Sequence, residues 1–202
     1  RAKSPEEVGV SSKEVVELIE QTKTHPVMKH ISLPTAKIFI DDFYFGYTYK
    51  FNSKIRQVID ALFLGIIPDE EKFALELIDI IEKFNELGLC YWDFHKNNIF
   101  SDESGHPYLI DIDDIRLNQT ELDRYLQIKY LTEFILDTYL ETDKTLQQLL
   151  RDPVIKKYFS IKTINYIESL IKRTEKTFDL PYIVIEELSN PHKRELIKSN
   201  IK

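Results

Sequence analysis

Apolar residues recur at helical spacing in some stretches of the chain and crowd into short strand-like runs in others, and the alternation of these patterns divides it. Val15, Val16, Leu18 and Ile19 form one apolar face behind Ser11 and Glu14, which have the spacing of a capping box, so a helix is predicted over 11–23 and ended by His25-Pro26. "AKIFIDD" and "FYFGYTYKF" are dense in β-branched and aromatic residues and are split by Asp41-Asp42, which predicts two antiparallel strands joined by a tight turn. Neither leaves room for a βαβ crossover. A helix over 53–64 follows, and Pro68-Asp69 then opens the clearest helix, with Phe73, Leu77, Ile80, Ile81, Phe84 and Leu87 at three-to-four spacing and Gly88 as its stop. "NNIFS" and "PYLIDI" flank the turn-forming run "DESGH" and predict a short hairpin. Past Arg116 the pattern is helical almost throughout, over 119–141, 144–151, 160–177 and 190–200, with Pro153, Pro181 and Pro191 as breaks.

Helix, strand pair, helices, charged hairpin and helices again make an α+β order with the strands early. The polar loops fall where the strand part meets the helical part, a favoured place for a ligand cleft. Composition narrows the function. The 27 Lys and Arg against 34 Asp and Glu give −7, which argues against a nucleic-acid partner, because counterion release needs clustered basic charge. A single cysteine, Cys90, excludes an internal disulfide and a cysteine-built zinc site and makes a reducing, cytoplasmic location the expectation. Apolar runs such as "DALFLGIIP" are too short for a membrane span, and no signal-peptide pattern opens the chain. Since it begins at Arg1 rather than Met, an upstream segment is expected.

The chemistry concentrates in "YWDFHKNNIFSDESGHPYLIDIDDIR". Asp93 and Asn98 precede one short apolar strand, and Asp111 follows the next. If these strands pair across "DESGH", Asn98 and Asp111 meet at one end of the hairpin, with Asp93 on the loop leading in. Oxygen-bearing side chains arranged in this way suit magnesium, which shares its coordination shell with water and phosphate. Asp93 is then left to orient a hydroxyl or accept its proton.

This arrangement resembles the protein-kinase-like superfamily, whose catalytic loop reads H-x-D-x-x-x-x-N and whose metal aspartate opens D-F-G or a related D-x-D. Here "YWDFHKNN" and "LIDID" occupy those places. The helix over 69–88 looks like the one before the catalytic loop, "FYFGYTYKF" like the last N-lobe strand and hinge, and the helix over 11–23 like the regulatory helix. The resemblance implies a partial N-lobe over 1–51, with a reduced or truncated β part, and a helical C-lobe over 52–202 carrying the catalytic and metal-binding loops. It also implies transfer of the γ-phosphate of ATP, with magnesium, to a hydroxyl of an unidentified protein or small molecule. Asp93 and Asn98 would be catalytic, and Asn98, Asp111 and Asp113 would hold the metal. The backbone of Tyr49, Lys50 and Phe51 would face adenine, and Lys3 would meet a phosphate with Glu17 or Glu20 as its ion-pair partner. "DFHKNN" and "IDIDD" look more like the aminoglycoside- and choline-kinase branch, or atypical bacterial kinases, than like eukaryotic Ser/Thr kinases.

The departures are specific. Tyr91 and Trp92 replace the motif's His and the residue after it, so aromatic packing is expected to support the loop. The five glycines are isolated, so a glycine-rich phosphate loop lies upstream of Arg1 or has been lost. No A-P-E-like segment follows Arg116. A pseudokinase or truncated interaction module is therefore the main rival, and a metal-dependent phosphohydrolase using Asp93, His95, Asp111 and Asp113 is a second. His95 and Lys96 have ordinary readings as a loop hydrogen-bonder and a solvated charge beside their possible roles on a phosphate. Asp114 reads as a loop charge paired with Arg116. Asp123 reads either as an anchor for the catalytic loop or as a surface helix charge.

Overall fold

Helix α1 (Val10–Thr22) and a 3-10 helix (Pro26–His30) lead into two antiparallel strands, β1 (Pro34–Ile40) and β2 (Phe43–Tyr49). The computed structural model describes residues 10–49, 52–111, 115–117, 120–173 and 179–201. Lys3, Lys50, Phe51, Asp113 and Asp114 lie outside these residues, as do the side chains of Tyr49 and Arg116. The β1–β2 turn has both central residues at positive φ, 47° at Asp41 and 64° at Asp42. That turn geometry matches the twist of antiparallel strands, and Asp tolerates it better than most residues.

A two-residue strand, β3 (Arg56–Gln57), comes before α2 (Val58–Phe63), so the helix expected from residue 53 starts five positions later. The difference arises because Arg56 and Gln57 pair with Ser101 and Phe100. Helix α3 (Glu70–Glu86) begins where Asp69 accepts a hydrogen bond from the Lys72 N–H at 2.9 Å. It buries Phe73, Leu77, Ile78, Ile80, Ile81 and Phe84. Gly88, at φ 75°, turns the chain into β4 (Leu89–Tyr91), whose three residues are all buried.

The strands β5 (Ile99–Ser101) and β6 (Pro107–Leu109) form the expected hairpin, and β7 (Ile115–Leu117) pairs with β4. The 3-10 segment is stitched to this hairpin. Ile31 bridges Leu109, the Ser32 N–H donates to the Leu109 carbonyl at 2.9 Å, and the Tyr108 hydroxyl donates to the Ile31 carbonyl at 3.0 Å.

Helix α4 (Glu121–Leu140) is capped by Thr120 and Asp123 in a reciprocal box. It buries Ile128, Leu131, Phe134, Ile135, Leu136 and Tyr139 and contacts β4 and two later helices. Then come α5 (Leu146–Arg151), α6 (Pro153–Tyr158), α7 (Ile161–Lys172), α8 (Tyr182–Leu188) and α9 (Pro191–Lys198). Helix α8 packs on both α3 and α4, so one continuous apolar core joins the β5–β6 hairpin to the C-terminal helices.

A polar node fixes α7, α8 and α9 together. Glu187 accepts from the Ser160 N–H at 3.1 Å, from the hydroxyls of Ser160 and Thr163, and from the Lys193 ammonium. Burial alone would raise the pKa of this carboxyl. The hydrogen bonds from Lys193, Ser160 and Thr163 outweigh it and hold the pKa down at about 2.

Candidate functional site

Strand β4 delivers Tyr91, fully buried, to the start of the loop 92–98. Its ring meets Phe94 edge to face at 5.2 Å. Its hydroxyl lies between two carbonyls, 3.1 Å from that of Asp93 and 3.2 Å from that of Ile110, and donates to them. Aromatic packing is thus only part of the loop's support, because one phenol ties the 92–98 loop to the residue just before Asp111. From the other side the Gln127 amide on α4 donates to the Tyr91 carbonyl at 3.0 Å. Trp92 stacks on Tyr130 at 6.1 Å, as expected of a residue packed beneath the loop.

The loop closes as a turn, with the N–H groups of Asn98 and Ile99 both donating to the His95 carbonyl, at 2.8 and 3.1 Å. The Asn98 amide nitrogen donates to Asp93 Oδ2 at 2.5 Å. Asp93 and Asn98 are therefore directly coupled, and the remaining oxygen of Asn98 is the atom it can offer a cation. Across the hairpin the Ile110 N–H donates to the Asn98 carbonyl at 3.0 Å, which brings the backbone leading into Asp111 beside Asn98. Asp111 has φ 56°. A left-handed backbone at a non-glycine residue costs about 1 kcal/mol, and such strain collects at functional sites.

Three neighbouring residues take places that differ from their simplest readings. Lys96 is drawn onto α4, 2.9 Å from Asp137 and 3.1 Å from Asp143. Burial lowers its pKa, and the hydrogen bonds to Asp137 and Asp143 more than offset this, so its ammonium stays charged. The His95 side chain is exposed, and its contribution to the loop is the carbonyl at the turn. The Asp123 carboxylate caps α4 through the Thr120 N–H and hydroxyl. Contact between the start of this helix and the region of the loop runs through the Asp123 carbonyl, which accepts from the Cys90 thiol at 3.5 Å.

Glu17 and Glu20 meet a lysine on the strand that follows their helix. Lys37 on β1 lies 3.8 Å from Glu17 and 3.4 Å from Glu20. Sequence reasoning missed Lys37, although it is the one charge inside the otherwise apolar run "AKIFI". Gln127 was missed as well. Its signal was an amide in the middle of an apolar helical face, where burial demands a partner.

The phenol tie gives a direct test. Tyr91→Phe keeps the ring against Phe94 but leaves two partly buried carbonyls without their donor. Urea unfolding is expected to show a loss of about 1–2 kcal/mol. An unchanged midpoint would mean that the hydroxyl contributes nothing to holding the two segments together.

No protein-family model matches the chain, and no curated protein sequence matches it. A solved structure described as the ROP18 kinase domain in complex with AMP-PNP and sucrose is similar in fold, with a TM-score of 0.54 at 12% sequence identity. The similarity covers 98% of this chain and 72% of that one. The chain thus has a kinase-like fold of mixed helices and small sheets, and no described helix is long and apolar enough to cross a membrane.

Proposed function

We propose that the chain is a kinase-type phosphotransferase, moving the γ-phosphate of ATP to a hydroxyl of a protein or small molecule. The observation that carries this reading is the junction of Asp93, Asn98 and the Ile110–Asp111 backbone across the β5–β6 hairpin, within a kinase-like fold. Asp93 orients the acceptor hydroxyl and takes its proton, while the hydrogen bond from Asn98 holds the carboxylate in position. The motifs "DFHKNN" and "IDIDD" favour the aminoglycoside- and choline-kinase-like or atypical bacterial branch. Tyr49, Lys50 and Phe51 are assigned to the adenine edge by the same resemblance, and Lys3 and Asp113 keep their proposed places at phosphate and metal. Glu17, already paired with Lys37, joins the phosphate end of the cleft in this reading.

The proposed donor set, all oxygen, fits magnesium. The Asn98 oxygen and the carboxylates of Asp111 and Asp113 are hard ligands, and such a set would leave the rest of an octahedral shell to phosphate and water. Bound magnesium supplies charge neutralisation at the phosphates.

The test is ligand-linked unfolding. A ligand present at tenfold excess over its Kd stabilises the native state by about 1.4 kcal/mol. Mg-ATP is therefore expected to raise the melting temperature by roughly 3–6 °C, and ATP with a chelator to raise it much less. Asp111→Asn is expected to remove the magnesium-dependent part, because a neutral amide is a weaker ligand for a hard dication. Equal shifts in wild type and Asp111→Asn would rule out the metal assignment and favour a non-catalytic interaction module.

A further inference from the structure

A cleft of about 1080 Å³ opens between α3, α4, α7 and α8, away from the catalytic loop. Gln127 lies at its floor and is only 1% exposed. The amide nitrogen of Gln127 donates to the Tyr91 carbonyl, which sets the orientation of the group, because the flipped amide would place two carbonyl oxygens against each other. The other end, Oε1, is buried without a hydrogen-bond partner. Buried acceptors are paired in nearly all native proteins. An unpaired one beneath a cleft marks a position for an N–H donor supplied from outside.

The lining gives that donor a charge. Among the described lining residues, Glu82, Glu86, Asp179 and Glu186 accompany two cations, Arg124 and Lys162, so their balance is negative. Ile128, Leu180 and Ile183 supply apolar wall, and the rings of Tyr166 and Tyr182 offer π faces. The phenol of Tyr182 reports the same field. Burial first, and then the charge and hydrogen bond of Glu82, push its pKa up to about 12.

We propose that this cleft binds a small cationic amine, a hydrocarbon chain bearing protonated amino groups, and that Gln127 relays its occupancy to the catalytic loop. Gln127 Oε1 has almost no accessible surface as the side chain stands, so a ligand N–H is accepted there as the amide turns toward the cleft, while the hydrocarbon lies along the apolar wall and the remaining ammonium charge meets the rim carboxylates. The relay is a chain of named contacts. Gln127 holds the Tyr91 carbonyl, and the Tyr91 hydroxyl holds the carbonyls of Asp93 and Ile110. A ligand that draws on one end of the Gln127 amide shifts the donor at its other end.

Trp92, next to Tyr91, is the single tryptophan of the chain and reports on the loop directly. Spermidine is titrated into the whole chain at about 0.15 M salt, where long-range charge attraction is screened, and without nucleotide. The expected result is one saturable site by calorimetry, with a change in Trp92 emission that follows the same isotherm. Glu86→Gln combined with Glu186→Gln changes only exposed rim residues and is expected to raise Kd about five-fold or more, just over 1 kcal/mol by tenfold-per-1.4 arithmetic. Gln127→Met is expected to abolish the emission change. Unsaturable binding, or an equal Kd in the rim variant, would overturn the site, and saturable binding with Trp92 emission unmoved would overturn the relay. Because no nucleotide is present, these outcomes stand apart from whether the loop transfers phosphate.

Discussion

Asp93→Asn is expected to lower Mg-ATP turnover by about 10³-fold, within the range that general-base groups contribute, while nucleotide affinity stays within about twofold. The substitution is isosteric, and its amide oxygen can still accept the hydrogen bond that Asn98 gives to Asp93 Oδ2. The loop turn built on the His95 carbonyl and the phenol tie through Tyr91 do not involve the Asp93 carboxylate, so the fold is expected to survive. What disappears is the group that, in the proposed reading, takes a proton from the acceptor. Turnover is followed as ADP release with candidate hydroxyl acceptors and affinity by calorimetry. Wild-type turnover in the variant would show that Asp93 is not the base.

The second large effect is on stability and depends on pH. Glu187 is depressed in the folded protein to about 2, from an ordinary carboxyl value near 4.5. A depressed folded pKa stabilises the native state above the unfolded value, and that contribution is lost as pH falls from about 4.5 towards 2. At neutral pH it amounts to about 2–3 kcal/mol, allowing for solvent on the Lys193 side of the node. Glu187→Gln keeps an acceptor for Ser160 and Thr163 but removes the charge. Denaturant unfolding is expected to show the full deficit at pH 7, a shrinking one at pH 3 and a vanishing one below pH 2. A deficit that does not change with pH would mean that lost packing, rather than charge, explains the variant.

The strongly periodic parts of this fold were legible in the sequence because their signals are local. Helix α3 has a complete apolar face, an Asp69 cap and a Gly88 stop, and the β5–β6 hairpin has "DESGH" between two apolar runs. The proximity of Asn98 to the start of Asp111 follows from that hairpin alone. Helices α6 and α8 were missed because Pro153 and Pro181 were read as breaks. Proline also starts helices, since it lacks only an N–H that the first turn does not use, and with Asp152 as its cap Pro153 opens α6. The Lys37 contacts with Glu17 and Glu20, the Gln127 bond to Tyr91 and the Lys96 contacts with Asp137 and Asp143 join residues on separate elements. Their partners depend on how those elements pack, which periodicity does not encode.

The stitching of the 3-10 segment to β6 sets a lever arm. The segment up to Ser32 is fastened to the β5–β6 hairpin, whereas among the described residues β1 and β2 form a sheet of two strands. A swing of the β1–β2 hairpin would pivot at Leu33 and Pro34, and a seven-residue strand extends roughly 24 Å from that point. A rotation of about 10° carries the Asp41-Asp42 tip by roughly 4 Å, on a strand rise of 3.4 Å per residue. Lys37, near the middle of the arm, moves about half as far. Added to its 3.4 Å separation from Glu20, a travel of about 2 Å would take Lys37 out of ion-pair range, so a small rotation of the β1–β2 hairpin would be enough to break the contact with α1.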